Sequence, residues 1–439
     1  VRDLLLRLPV SDYDIAVSQN PEEFANVLCG RVNGRKVVMG KTGRLIHRVV
    51  SAAGIFDISA FKGDSIEDDL RARDYTINAM AYSPASRMII DPLGGKSDLD
   101  QKKIRLVTRK ALEHDPVRLV RAFRLCSTLG FQIEPDTLSA ITENAPLILE
   151  SASERILVEL NRILAGPKAS AILSEMGRTR LLFYILPELQ PLVGCVQNQH
   201  HDFDVYTHTL KTLSHLEKLQ QNPAAFIPEF EKNIWDSFDQ PAVRHLKWAL
   251  LLHDIGKPGV RSVDPQGNLH FYGHAEEGAI LAEAVFRRLK FSNHDASEIE
   301  FLIRNHVKPL DLFTACRNKN AAPRAKARFF RSCGERTLPL LLHAILDIQG
   351  KSDRALERNQ EFIRFALFLI STYQQTYRPM KMLSPLLNGH DLMHHLNLPP
   401  SPVIKKILHA IEDARFAGEI ETRDQALEFA KKKINFLNP

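Results

Sequence analysis

Asp12 and Asp14 flank Tyr13 in DYDIAV, at the head of a run of β-forming residues. On a strand, residues i and i+2 project from one face about 7 Å apart. Two ions sharing a phosphoryl transfer sit roughly 3.5–4 Å apart, so carboxylates at this spacing can bracket them. A lone Asp-x-Asp is also the pattern of a solvated strand end. Asp57 adds weight, because it interrupts the apolar strand pattern IFDISAF, where an unpaired carboxylate is costly. From a neighbouring strand it would complete a metal cage; its alternative is a strand end near solvent.

Three further segments could serve such a centre. RARDYTINAMAY offers Arg73, Asp74, Thr76 and Asn78 ahead of an expected apolar helix, the mixture a nucleotide pocket needs, or simply a capped helix start. DPLGGKSDL, with Asp91, Gly94 and Gly95, reads as a turn. In HDPVRLVRAFRL, Pro116 suits a helix first turn, and Arg118, Arg121 and Arg124 recur every three residues on one face. Such a face is commonly solvated. Facing a metal site, its guanidiniums could hold a triphosphate and read base edges through paired hydrogen bonds.

A second set of groups lies in the middle of the chain. His208 opens HTLKTL, His253 and Asp254 close WALLLHD, and Asp347 lies in LLLHAILDIQ. Ionisable groups emerging from a buried apolar face need partners, and joint coordination of a metal supplies them. His274 and His306 could extend the set to a second ion. The order His…His-Asp…Asp resembles the signature of HD-domain phosphohydrolases. His plus carboxylate ligands suit Ni²⁺, Mn²⁺, Fe²⁺, Co²⁺ or Zn²⁺. An active site of this kind would hydrolyse a phosphoester, for example a 2′,3′-cyclic phosphodiester on a damaged RNA end; an inactive one would only stabilise the fold. His200, His201, His343, His394 and His395 are assigned no role, the first two adjoining a polar loop and the others taken as helix-surface positions.

The elements that must position these groups change character along the chain. Up to about residue 107, short β-rich runs (YDIAV, RKVVMG, IFDISAF, RMIIDP, KIRLV) alternate with turn signals. From about Lys110, apolar residues recur at helical spacing. Pro187, Pro191 and the polar QNQHHD mark a boundary, and a further helical stretch from about residue 355 ends in the basic AKKKI. At 439 residues the chain is long enough for several domains. Its 58 Lys and Arg against 52 Asp and Glu give a mild net charge of +6, which permits an RNA partner through a local basic stripe. Five scattered cysteines without a CxxC pair argue against a disulfide framework and fit a reducing compartment, with the cytoplasm as the expectation. Apolar runs are too short for a membrane span.

Taken together, VRDLLL, PVSDYDIAV, RARDYTINAMAY, DPLGGKSDL, HDPVRLVRAFR and ERILVEL resemble, in order, the motifs of the bacterial class II tRNA nucleotidyltransferase and poly(A) polymerase family. The resemblance implies an α+β fold: a small mixed β-sheet nucleotidyltransferase palm over 1–107, then all-α regions. These are a neck and body binding nucleotide and RNA over 108–195, an HD metal-binding domain over 196–350 and an RNA-binding tail over 351–439. It implies Mg²⁺ at Asp12 and Asp14, beside which the strand pattern adds Asp57 as an expected third catalytic carboxylate. A nucleotide site would comprise Arg2, Asp3, Arg73, Asp74, Asn78, Asp115, Arg118, Arg121 and Arg124. Asp115 and Arg118 match the last two members of the family's EDxxR motif, whose side chains pair with CTP or ATP. The implied reaction is two-metal addition of CCA, or part of it, to the 3′ end of tRNA.

The chain departs from the family in three places. It opens at Val1 inside the first motif, so an N-terminal piece carrying the family's Gly-Gly turn is expected to precede it. Ala72 replaces the first of two paired arginines, and His114 stands at the Glu of EDxxR. The last substitution leaves CCA, CC-only, A-only and poly(A) addition open. A reading of another class, an HD phosphohydrolase whose palm only binds RNA, is disfavoured by the retention of Asp12 and Asp14 with Arg73 and Arg118.

Overall fold

A computed structural model of the chain describes residues 1–10, 12–41, 44–197, 202–223, 227, 232–236, 238–317, 322–352 and 357–437; His200 and His201 lie outside them. The chain forms two compact units, one of Val1–Gly166 with Ile172–Ile185, the other of Pro167–Ala171 with Leu186–Pro439.

The first unit carries a four-stranded mixed sheet ordered β1 (Asp12–Val17), β4 (Gly54–Ala60), β3 (Arg44–Ser51), β2 (Arg35–Lys41). β1 and β4 run parallel and the other pairs antiparallel. The helix Pro21–Arg31 starts on a proline, whose missing N–H costs nothing in a first turn. It covers one sheet face, where Val49 and Ile58 are fully buried against Ala25, with Ile15, Val17, Phe56 and Leu28 around them. Side chains alternate along a strand, so the other face receives Asp12, Asp14, Asp57 and Arg48. In-register pairs Asp14↔Asp57 and Arg48↔Asp57 align three of them across the sheet. Two of the expected strand segments stay outside this sheet. RMIIDP contributes Met88–Ile90 to a hairpin with Ala81–Ser83, and KIRLV contributes Lys103–Ile104, paired with Gln132–Ile133.

The expected turn at DPLGGKSDL is present and leads into a short helix, Gly95–Asp100. Asp91 accepts the Gly95 and Lys96 amides at 2.7 and 2.9 Å. A Cβ on Gly95 would lie 2.2 Å from the Thr76 carbonyl oxygen, so only glycine permits this approach to the Thr76–Asn78 turn. The arginine-bearing helix Arg118–Leu129 stops at Gly130, whose φ of 69° is left-handed. It packs along Ser153–Ala165, burying Leu119, Val120, Phe123, Leu160 and Ile163. Each such side chain contributes about 1.5–3 kcal/mol of burial free energy.

The second unit is helical. Val205–Gln221, Gln240–Leu252, His274–Leu289, Asn293–Asn305 and Thr337–Gly350 surround a core in which Trp248, Leu250, Leu252, Leu340 and Ile345 are buried. A Cβ on Gly256 would meet the Gly278 nitrogen at 2.4 Å and the His274 carbonyl oxygen at 2.3 Å. The turn after Asp254 therefore lies directly against the start of the His274–Leu289 helix. Helices Gly389–Leu396, Pro402–Phe416 and Arg423–Leu437 close on a separate apolar cluster centred on Leu392, Ile407 and Ala414. Among the described residues no helix is long and apolar enough to cross a membrane.

Candidate active site and metal centre

On the open face of the sheet, Asp12 and Asp14 are exposed, as groups awaiting a solvated substrate must be. Asp57 is held by Arg48, which donates from Nε and Nη2 to both carboxylate oxygens at 2.7 Å. The hydrogen bond that Arg48 donates to Asp57 raises the Arg48 pKa, burial opposes it, and Asp57, Asp12 and Asp14 add to the rise by charge. Three carboxylates thus surround one guanidinium, and this surplus of negative charge suits a divalent cation.

Several residues expected to hold nucleotide form a chain of contacts with one another. Arg2 bonds Asp3 and Asn78, each at 2.7 Å, and Asn78 bonds Asp74 at 3.0 Å. Asp74 accepts from Arg121 at 3.0 Å. Burial alone would raise the Asp74 carboxyl, but Arg121, Asn78 and the Tyr75 amide outweigh it and hold it below its ordinary value. Arg121 and Arg124 both reach Glu159, at 3.3 and 2.6 Å. Arg73 pairs with buried Asp69 at 2.9 Å. Arg118 turns to the carbonyls of Arg73 and Ala111, each at 3.3 Å, while Asp115 is gripped by Arg155 through two bonds of 2.8 and 2.9 Å. The three arginines are not a bare face, because each is already engaged. Arg48, Glu159 and Arg155 were absent from the sequence expectations. The clue for Glu159 and Arg155 was their place in ERILVEL, at helical spacing on one helix.

In the second unit, His208, His253 and Asp347 form one group of ligand atoms, and Asp254, His274 and His306 a second, each set lying within 4.8 Å. Asp254, 1% exposed, stands between them. Its Oδ2 is 3.1 Å from His253 Nε2 and 3.5 Å from His208 Nε2; its Oδ1 is 3.7 Å from His274 Nε2 and 3.9 Å from His306 Nε2. The tautomers follow from the backbone. The Nδ1–H groups of His253, His274 and His306 donate to the carbonyls of Leu250, Phe271 and Ile303 at 2.9, 2.7 and 2.7 Å. Burial holds the His274 and His306 rings neutral, each directing an Nε2 lone pair inward, and a metal replacing the proton on His253 would meet a third. His274 Nε2 and His306 Nε2 are 3.0 Å apart, and Asp254 Oδ1 has no hydrogen bond. Lone pairs converging in this way repel unless a cation lies among them, so the residues fit a metal.

Lys257 stands 2.7 Å from Asp254 Oδ2 and Lys351 3.7 Å from Asp347. His343, expected at a helix surface, is fully buried, its ring 5.2 Å from that of His253 and 5.5 Å from that of His306. That expectation is corrected: the helix Thr337–Gly350 is buried on nearly every side, and His343 lies one turn before Asp347. Burial and the neighbouring His253 push its pKa down to about 3, so it serves as a neutral packing ring.

The chain matches four family models: the poly A polymerase head domain over residues 1–105, a probable RNA and SrmB-binding site of polymerase A over 130–192, the HD domain over 205–346 and tRNA nucleotidyltransferase domain 2 over 338–430. It is 31% identical to an A-adding tRNA nucleotidyltransferase of Deinococcus radiodurans, covering 98% of this chain and 93% of that one. It is 30% identical to a CC-adding tRNA nucleotidyltransferase of Thermus thermophilus, covering 98% and 91%. In fold it resembles the Thermotoga maritima CCA-adding enzyme solved with tRNA, with a TM-score of 0.66 at 19% identity over 99% of this chain and 89% of that one.

Proposed function

Because this chain belongs to the tRNA nucleotidyltransferase family, we propose that it adds all or part of CCA to the 3′ end of tRNA, from CTP and ATP. The observation that carries this reading is the single sheet face shared by Asp12, Asp14 and Asp57. A divalent ion there, Mg²⁺ in this reading, supplies charge that favours ionisation of the RNA 3′-hydroxyl and offsets the leaving pyrophosphate. Asp12 and Asp14 hold the cation. Arg48 keeps Asp57 oriented and balances its charge. Arg2, Arg73 and Arg121 bring positive charge to a triphosphate, each anchored by a carboxylate or amide so that little rotamer entropy remains to be lost. Asp115 and Arg118 present the donors and acceptors that choose the base, with Arg155 and the loop carbonyls fixing their directions. A reducing, cytoplasmic setting suits the five free cysteines.

The histidine–aspartate cluster supports a second activity, hydrolysis of a phosphoester, with a transition metal held by the two triads. Its mixed nitrogen and oxygen donors favour Ni²⁺, Mn²⁺, Co²⁺, Fe²⁺ or Zn²⁺ over Mg²⁺, which prefers oxygen alone.

The test of the main reading offers the chain tRNAs ending before CCA, after C and after CC, each with CTP or ATP and Mg²⁺. Defined stops after one to three additions are expected. Long adenosine tails on generic RNA would replace this reading with poly(A) synthesis.

A further inference from the structure

Asp115 stands between two arginines, and only one of them holds it. It occupies the break between the helices Lys110–His114 and Arg118–Leu129. Arg155, in the first turn of the helix Ser153–Ala165, donates to both carboxylate oxygens, at 2.8 and 2.9 Å. Arg118 Nε lies 3.8 Å from Asp115 Oδ2, beyond hydrogen-bonding range. Arg155 thus fixes Asp115 in a direction that leaves Arg118 unpaired.

Arg118 is under-satisfied as a result. Its side chain is only 12% exposed, and among the described residues its buried Nε–H has no hydrogen-bond partner. Its terminal nitrogens make long contacts, of 3.3–3.5 Å, to the carbonyls of Ala72, Arg73 and Ala111, against about 2.9 Å for an ordinary N–H to oxygen bond. A buried donor left unpaired is unfavourable, and Asp115, the carboxylate that could satisfy it, is committed to Arg155. A turn of the Asp115 side chain that closes the gap to Arg118 breaks the two-bond grip of Arg155. One carboxylate therefore has two alternative partners.

The two guanidiniums differ in what else can reach them. Arg118 faces backbone carbonyls, whereas Arg155 is 49% exposed and lies within the stretch 130–192 matched to a probable RNA-binding site. A guanidinium fork that grips a carboxylate through two bonds grips a phosphate through two as well. A phosphodiester that binds Arg155 competes directly with Asp115 for the same donors.

We propose that Arg155 couples RNA to base selection: it withholds Asp115 from Arg118 until an RNA phosphate draws it away, so that the pair reading the incoming base is assembled when RNA binds. The inference rests on reading Asp115 and Arg118 as the base-choosing pair and adds the condition under which they act. Arg155 is a positioning residue in this scheme, acting through Asp115. Linkage makes the effect reciprocal, since a nucleotide that favours the Asp115–Arg118 arrangement leaves Arg155 open to RNA.

The test measures nucleotide affinity in the full chain by equilibrium dialysis of CTP and ATP. It is run without RNA and with saturating tRNAs that end before CCA or after CC, each with a 3′-deoxy terminus so that no addition follows. The wild-type chain is expected to bind the nucleotide it adds about tenfold more tightly with tRNA, a usual size for coupled sites. Arg155→Met keeps the stem and removes the fork. It should bind that nucleotide tightly without tRNA and gain little from its addition, and Arg155→Lys, with a point charge in place of the fork, should fall between. No tRNA-dependent gain in the wild type, a gain that survives in Arg155→Met, or nucleotide binding to Arg155→Met alone that is no tighter than wild type overturns the proposal. If Arg155→Met does not melt as the wild type does, Arg155→Lys decides on the same readings. Asp115→Asn, assayed for addition with all four nucleotides, separates the coupling from the reading beneath it. An unchanged choice of nucleotide removes the base-reading role and the proposal together. A lost choice, beside an Arg155→Met chain that behaves as wild type, overturns the coupling alone.

Discussion

Arg48 and Asp57 face each other directly across β3 and β4 and share two hydrogen bonds of 2.7 Å. This pair occupies both oxygens of the carboxylate nearest to Asp14 in register, so the guanidinium competes for the oxygens a cation would use. Arg48→Met should lower the Mg²⁺ concentration that half-saturates nucleotide addition, and Asp57→Asn should raise it. A magnesium titration of initial rates checks both. Shifts in the same direction would show that the pair does not govern the cation.

Glu159 ties two arginines of the helix Arg118–Leu129 together while only 5% exposed. Glu159→Ala leaves Arg124 without its carboxylate and Arg121 with Asp74 alone in a partly dry site, at a cost of roughly 3 kcal/mol. Chemical denaturation should show that loss. In the folded fraction, KM for nucleotide should rise more than kcat falls, as the nucleotide-holding role proposed for Arg121 requires.

How far the sequence reveals this arrangement depends on the range of the interaction. Period-two alternation suffices to place Asp12 and Asp14 on one face, and an acid inside an apolar strand singles out Asp57. Arg48 escapes because RLIHRVV mixes charged and β-branched residues on both faces, and its partner is defined only by the pairing of β3 with β4. Glu159 and Arg155 share helical spacing within ERILVEL, but their partners Arg121 and Asp115 lie 38 and 40 residues away, so the pairing itself is beyond any local pattern. The histidine cluster was legible by order of residue types, yet its division into two triads joined by Asp254 needs three dimensions. His343 is different: its i, i+4 spacing to Asp347 on an apolar helix was a usable signal.

His253→Ala removes one inward Nε2 from the first triad. Bound transition metal and phosphoester hydrolysis should both fall to background, while nucleotide addition persists because its groups lie in the other unit. Metal analysis with parallel assays checks this. Simultaneous loss of both activities with a lost thermal transition would mean that the substitution unfolds the chain.

Stripping the metal with a chelator should lower Tm as well, since a ligand present at 100 times its Kd stabilises the native state by about 2.7 kcal/mol. Calorimetry before and after reloading with Mn²⁺ tests it. An unchanged Tm would show that the buried lone pairs tolerate each other without a cation.

Asp295 supports the helix Asn293–Asn305 that leads into His306. Burial would raise its carboxyl, but hydrogen bonds from His245, Ser292 and Arg244 prevail and bring it down to about 2. A folded pKa below the unfolded value of about 3.9 gives stability that is complete above that value and disappears as pH falls through about 2. Asp295→Asn should therefore destabilise the chain at pH 7, with the difference from wild type narrowing between these two pH values. Denaturation midpoints across that range would reveal a constant difference if packing alone were responsible.

The most direct measurement is single-turnover nucleotide addition to a tRNA lacking its CCA end, comparing wild type with Asp12→Ala, Asp14→Ala and the double variant. Both side chains are exposed, so the variants should keep the wild-type melting curve. Loss of the several kcal/mol of charge stabilisation that a held cation supplies corresponds to a fall of about a thousandfold or more. Folded variants that still extend the tRNA at near wild-type rate would contradict the assignment of this sheet face as the polymerising site.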